Sequence, residues 1–210
     1  MPEATRLYRY HTSLLPETGS EQHAMVTIDY AKIHYFVGID GDSAKSLSIF
    51  SVVVRKNSSE QHPLDTFSYH KQNEKFVQKA ISKFETRIRG LIGPTVQYLH
   101  IWSDGGLQTY GTIKFFHELQ KRLGIELELN FFEAYHGHNR CDGHFAHLKK
   151  TVAKGIESGY AKLLQQQNHS KDLAMIATEL ANRLKNTIAI FCDDVAQELE
   201  EKLKNWEISN

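Results

Sequence analysis

The sequence predicts a single α/β domain built on a mixed five-stranded sheet. Strand-like runs come three in a row, and helical and strand-like periods then alternate along the chain. The 210 residues are 40% hydrophobic and 24% charged, which is typical of a globular domain. No apolar run is long enough to span a bilayer, so no membrane partner is expected.

The first three predicted strands are rich in Val, Ile, Tyr and Phe, and turn-forming residues separate them. They span residues 24–36, 47–54 and 65–69. Consecutive strands with short connections form an antiparallel meander. This part of the chain is therefore expected to supply three neighbouring antiparallel strands.

Helical periodicity follows the meander and alternates with two more strands. The predicted helices span 76–91, 113–123 and 145–163, and the predicted strands span 96–102 and 125–131. Gly124 is the expected C-cap of the second helix. Helical crossovers make the later strands parallel and place the first strand beside the fourth. That arrangement is the ribonuclease H-like order.

Three segments are expected along the chain. Residues 1–22 are predicted to be an N-terminal arm because their periodicity is weak. Residues 23–166 form the ribonuclease H-like core. Residues 167–210 form a C-terminal extension of two helices around a short strand at 188–191, packed on the core.

Three aspartates are predicted to meet at one edge of the sheet. Asp29 lies on the first strand, Asp104 follows the fourth, and Asp142 opens the helix after the fifth. Ligands of open α/β sheets gather at the carboxyl ends of strands. Carboxylates beside buried strands are costly without a cation, and hard oxygen donors suit Mg²⁺ or Mn²⁺. The sequence therefore predicts a metal site at these three residues.

Each aspartate also has an alternative role. Asp40 follows an apolar run too, and it competes with Asp29 as the acid of the first strand, although a turn role in its Gly-rich segment also fits. Asp104 precedes two glycines and also fits a turn. Asp142 also fits a simple helix cap.

Histidines and lysines surround the third aspartate. His136 and His138 are predicted to contact a phosphate or the attacking hydroxyl, and Lys149 and Lys150 to neutralise phosphates. A solvated helix face explains the lysines equally well. Zinc binding stays open against a hydrogen-bonded histidine cluster, because the spacing is not that of a standard finger. The candidate zinc ligands are His136, His138, Cys141, His144 and His147.

Four short motifs resemble the catalytic core of ribonuclease H-like transposases that carry an acidic DDE or DDD triad. They are Asp29-Tyr30-Ala31-Lys32, Trp102-Ser103-Asp104-Gly105, the run from Asn130 to His138, and Asp142-Gly143. The similarity covers residues 26–154. Transposases of this kind often place a glutamate after a Cys-x-x-His pair, which makes Glu157 a competitor of Asp142. The two are 15 residues apart, about four helical turns, so they cannot serve one ion.

The resemblance implies Mg²⁺-dependent or Mn²⁺-dependent cleavage or strand transfer on DNA in recombination, with Asp29, Asp104 and Asp142 as catalytic metal ligands. RNA stays open as a substrate, as do a homodimer and a separate N-terminal DNA-binding module. The alternative is a catalytically inactive transposase-derived domain that binds nucleic acid or protein. The balance of 25 basic and 25 acidic residues favours this alternative, because DNA-binding modules are usually basic.

The two cysteines, Cys141 and Cys192, are too few for a disulfide framework. A reducing intracellular location is therefore expected, and a nuclear one if the source is eukaryotic.

Overall fold

A computed structural model of the protein describes residues 3–15, 17, 22–37, 43–68, 73–105, 109–132, 140–158 and 172–192. These residues contain five helices and six strands. In chain order they are α1 (Glu3–Ser13), β1 (His23–Val37), β2 (Ser43–Arg55), β3 (His62–Ser68), α2 (Glu74–Ile92), β4 (Tyr98–Ser103), α3 (Tyr110–Leu123), β5 (Glu126–Phe131), α4 (Arg140–Glu157), α5 (Asp172–Asn182) and β6 (Ile188–Phe191).

The strands form one mixed sheet in the order β5-β4-β1-β2-β3-β6. β2 runs antiparallel to both β1 and β3, whereas β4 is parallel to β1 and β5 is parallel to β4. The predicted ribonuclease H-like order is confirmed, with the first strand in the middle beside the fourth. The sheet has one strand more than the five predicted, because β6 pairs in parallel with β3 at the edge.

Helices cover both faces of the sheet, and strand alternation divides the apolar residues between them. Val26, Ile28 and Val52 belong to the core under α2 and α3. Ile49 and Val53 belong to the core under α4 and α5. Because helices cover both faces of the sheet, the two faces of the central strand β1 point into different cores. A polar side chain on β1 therefore lies next to buried apolar residues.

A glycine and a capping side chain mark the ends of two helices, and only the glycine was predicted. Gly124 has φ 65° and donates its N–H to the carbonyl oxygen of Gln120, which confirms the predicted C-cap of α3. The side chain of Asn73 accepts from the N–H of Phe76 at 2.9 Å and caps the start of α2.

Helix α1 was not predicted, because its segment is more polar overall than the predicted helices and was expected to be an arm. Its stability comes instead from packing on the sheet. The ring of Tyr8 meets that of Trp102 edge to face at 5.2 Å. Leu15 joins Met25, Trp102 and Phe132 in a small separate core.

The C-terminal part supplies α5, which packs beside α4, and the edge strand β6. The predicted last helix after Cys192 and the turn that contains Asp40 lie outside the described residues. Within the described part of the chain, no helix is both long and apolar enough to cross a membrane.

Candidate functional site

Asp29 and Asp104 occupy equivalent positions on two neighbouring parallel strands. The pairing of β1 with β4 runs from His23↔Tyr98 to Ile28↔Ser103, and the two aspartates are the next residue on each strand. Asp104 is exposed and Asp29 is half-buried. The register therefore places Asp29, in the middle of β1, beside Asp104, which follows the carboxyl end of β4. Ligands of α/β proteins bind at such strand ends.

The charges of both carboxylates affect the pKa of the nearby Tyr30 hydroxyl. Burial is the main factor that raises the pKa of Tyr30 well above its usual value, and the charges of Asp104 and Asp29 raise it further. The backbone N–H of Tyr30 also donates to Oδ1 of Asp29 at 2.7 Å. Two negative charges that act on one phenol lie in the same neighbourhood.

Asp142 lies in the first turn of α4, which packs over β1. The adjacent Cys141 is buried, and its Sγ donates to the carbonyl oxygen of Thr27 at 3.4 Å. Burial above all raises the pKa of Cys141, followed by the charges of Asp29, Asp65 and Asp142. Asp29 is thus electrostatically linked to the Tyr30 side and to the α4 side of the site.

Asp65 is a buried acid that the sequence analysis did not select. The register pairs Asp29 with Ser51 and Ser51 with Asp65, so the three form a row across the sheet. The hydroxyl of Ser51 donates to Asp65, and Nε2 of His144 lies 2.8 Å and 3.0 Å from its two oxygens. The available signal was a carboxylate two residues from Phe67 in an apolar strand, where alternation places both on one face.

The candidate zinc ligands between His136 and His147 have different surroundings in the structure. Cys141 and His144 make hydrogen bonds inside the core, whereas His147 is exposed. These contacts favour the hydrogen-bonded interpretation over zinc for the two buried members. The remaining candidates, His136 and His138, lie outside the described residues.

The predicted lysines lie on the exposed side of α4. Lys149 and Lys150 are both exposed, and Lys149 is seven residues beyond Asp142. That separation is two helical turns, about 10 Å along the axis. The side chain of Glu157, the competing third acid, is outside the described residues.

A different group of side chains has ligand atoms close enough together to share a metal ion. In the part of the chain that the structure describes, three ligand atoms lie within 4.8 Å of one another only in the group His11, His100 and Glu128. This group was not predicted from the sequence, although His100 is a polar residue inside an apolar strand. Asp29, Asp104 and Asp142 do not form such a group, and their metal role stays a prediction.

Hydrogen bonds nevertheless occupy the histidine group. Nε1–H of Trp102 donates to Nδ1 of His11 at 3.2 Å, which requires a lone pair on Nδ1 and places the proton of a neutral His11 on Nε2. That nitrogen faces Oε2 of Glu128 at 3.4 Å. Nδ1 of His100 lies 2.7 Å from the same oxygen, and its Nε2 lies 3.1 Å from Nδ1 of His23. The group is thus a hydrogen-bonded chain that holds α1 on β4 and β5.

Comparison with family models identifies the family of this chain. A model described as "Domain of unknown function (DUF8701)" matches residues 11–208. The chain belongs to this family. No curated protein matches it.

Several solved structures are distantly similar to this DUF8701 chain. A. aeolicus Argonaute is 19% identical with a TM-score of 0.35, over 54% of this chain and 16% of its own. LC9-RNase H1, a type 1 RNase H with the type 2 active-site motif, is 13% identical with a TM-score of 0.35, over 63% and 74%. The human cytomegalovirus terminase nuclease domain is 9% identical with a TM-score of 0.34, over 99% and 88%. The chain thus spans less than two thirds of the Argonaute.

Proposed function

We propose that this protein catalyses metal-dependent phosphodiester cleavage or strand transfer on DNA, with Asp29, Asp104 and Asp142 as the metal ligands. The observation that carries the proposal is the β1–β4 register, in which Asp29 and Asp104 follow the last paired residues of two parallel strands. Asp142 is included because it acts, together with Asp29, on the pKa of the Cys141 thiol.

The chemistry of the three side chains suits a hard divalent cation. Carboxylate oxygens are the ligands that Mg²⁺ and Mn²⁺ prefer, and no thiolate or imidazole belongs to the proposed set. Such an ion, when bound, polarises a phosphoryl oxygen and makes a coordinated water or hydroxyl more acidic. The acids hold the ion at the open edge of the sheet, where a nucleic-acid strand has access.

Other side chains of α4 would position the substrate. Exposed Lys149 and Lys150 offer two positive charges to the phosphate backbone. His136 and His138 are proposed to contact the phosphate or the attacking hydroxyl. The pair formed by His144 and Asp65 orients the first turns of the helix and so fixes the place of Asp142.

Replacing one acid tests the proposal directly. Asp104→Asn should abolish Mn²⁺-dependent nicking of supercoiled DNA, while thermal stability stays equal or rises because a repelling charge is removed. The exposed Glu118 of α3 provides the matched control, and Glu118→Gln should nick at the wild-type rate. Nicking by Asp104→Asn at the wild-type rate would exclude the assignment.

Metal binding has a readout that does not depend on activity. Mn²⁺ should raise the unfolding temperature of the wild type, because a ligand at 100 times its Kd stabilises by about 2.7 kcal/mol. The rise should be reduced in both Asp29→Asn and Asp104→Asn. Equal rises in the variants and the wild type would place the ion elsewhere.

A catalytically inactive binding module is the second candidate function. It is favoured by the absence of Asp29, Asp104 and Asp142 from the described groups whose ligand atoms lie within 4.8 Å, and by the zero net charge. In that case labelled DNA would bind without being nicked, and Mn²⁺ would leave the unfolding temperature unchanged.

A further inference from the structure

Arg55, the last residue of β2, is a buried cation for which the described residues supply no anionic partner. It is 2% exposed. Its Nη2 donates to the carbonyl oxygen of Ser58 at 3.3 Å, and its Nη1 has no partner. None of the ion pairs among the described residues includes Arg55. A guanidinium does not escape the cost of burial by losing its proton, so the charge of Arg55 is not compensated by any acid of the described residues.

A second positive charge, that of Arg140, lies near Arg55. Burial lowers the pKa of Arg55 and the nearby charge of Arg140, the first residue of α4, lowers it further. The hydroxyl of Tyr8 acts in the opposite direction. This hydroxyl is itself buried and completes no hydrogen bond of normal geometry. Nη1 of Arg55 and the hydroxyl of Tyr8 are thus buried without an acceptor among the described residues, and Arg140 is an exposed cation near them.

Thr27 adds a third unpartnered polar atom nearby. Its Oγ1 is buried and has no hydrogen-bond partner in the part of the chain that the structure describes. Thr27 pairs with Val53 of β2, so Arg55 is its diagonal neighbour on the same face, about 7–8 Å away between Cα atoms. On the other side Thr27 pairs with Trp102, whose ring contacts Tyr8. The three unpartnered atoms therefore belong to one region of the sheet face near α1.

We infer that this region binds a phosphate-class oxyanion, held by Arg55, Arg140, Tyr8 and Thr27. A tetrahedral anion with several acceptor oxygens can accept from guanidinium and hydroxyl donors at once. A buried water would satisfy single atoms but would leave the arginine charge uncompensated. A bound oxyanion would accept hydrogen bonds from these donors and would also neutralise the arginine charge.

The ligand is a phosphate group, either free or part of a nucleic-acid strand. Thr27 precedes Asp29 by two residues on β1, about 7 Å along the strand. A strand at the proposed acid site would thus place a phosphate within reach of this anion site. Assignment to a nucleic-acid phosphate rests on the proposed function, whereas the anion site itself does not.

Thermal unfolding in EDTA tests the anion site. Inorganic phosphate should raise the unfolding temperature of the wild type by roughly 5 °C at saturation, relative to sodium chloride of the same ionic strength. Arg55→Met should lose this rise, and without phosphate it should unfold at the wild-type temperature or above it. A wild type without a phosphate-specific rise, or an Arg55→Met variant that keeps the rise, would overturn the inference.

Two further variants provide a control and an alternative to Arg55→Met. Arg89 of α2 also has a buried Nη1 without a partner, and Arg89→Met should keep the full phosphate effect. Tyr8→Phe removes one donor and should weaken phosphate binding several-fold, which decides the question if Arg55→Met does not fold. An unchanged affinity of Tyr8→Phe in that case would count against the site.

Competition identifies the source of the phosphate. If the ligand is a nucleic-acid phosphate, inorganic phosphate should displace a short oligonucleotide from the wild type in EDTA but not from Arg55→Met. Oligonucleotide binding that phosphate leaves unchanged would assign the site to a free anion. Asp104→Asn should keep the phosphate effect, so a failure of the proposed nuclease function is distinguishable from a failure of this site.

Discussion

Asp65 and His144 form a buried pair between β3 and α4. Nε2 of His144 lies 2.8 Å from Oδ2 of Asp65, with side-chain exposures of 6% and 0%. The two residues are 79 positions apart in the chain. The pair fastens the second turn of the helix to the sheet, and the position of Asp142 in the preceding turn depends on it.

Removal of this buried acceptor should be costly. Asp65→Ala leaves the hydroxyl of Ser51 and Nε2 of His144 buried without their acceptor. Each lost partner costs about 1–3 kcal/mol, so the free energy of unfolding should fall by roughly 2–5 kcal/mol. Urea denaturation measures the loss. Ser51→Ala, which removes only one donor, should cost about 1 kcal/mol, and a similar small cost for Asp65→Ala would contradict the role of the pair.

Acid should weaken the attachment of α1. Burial and then the charge of His100 lower the pKa values of His11 and His23 below their ordinary 6.5; Glu128 opposes this for His11. The unfolded chain therefore binds more protons, and stability present above pH 6.5 is lost as the pH falls below it. Denaturation at neutral pH and at about pH 5 should show this loss. It should be smaller in His11→Gln and unchanged in His117→Gln, an exposed control.

The thiol of Cys141 should be unreactive in the folded protein. It is buried and donates to Thr27, and burial raises its pKa, so little thiolate is present at mildly alkaline pH. Cys192 is buried as well. A disulfide reagent such as DTNB should react slowly with the native chain and rapidly with both thiols in concentrated guanidinium chloride. Fast labelling of native Cys141 would show that α4 opens from β1.

Gly155 marks a close approach of α4 to α5. A Cβ added there would collide with Cδ1 of Leu180. Overpacking costs about 1–3 kcal/mol, and the higher helix propensity of alanine returns up to about 1 kcal/mol. Gly155→Ala should therefore destabilise the protein by roughly 1 kcal/mol, as measured by urea denaturation. In a Leu180→Ala background the same change should be neutral or stabilising, and simple additivity would refute the contact.

The pattern of apolar residues was sufficient for most of the fold. Period-2 and period-3.6 runs predicted β1 to β5 with their directions, the helices α2 to α5 and the short strand β6, but not the parallel pairing of β6 with β3. Local chemistry also marked Gly124 as a helix end. The segment of α1 was expected to be an arm because it is polar overall, and packing against Trp102 and Phe132 stabilises it as a helix.

Side-chain partnerships were decided only by the tertiary structure. The sequence selected Asp29 from its place on the first strand, Asp104 from the end of the fourth and Asp142 from the start of a helix, and the β1–β4 register aligned the first two. It gave no sign that Asp65 binds His144 or that Arg55 lies near Tyr8. Periodicity is a local property that tells which face a side chain occupies. Which residues meet on that face depends on register and on crossovers between distant segments, and these are set by the packing of the whole sheet.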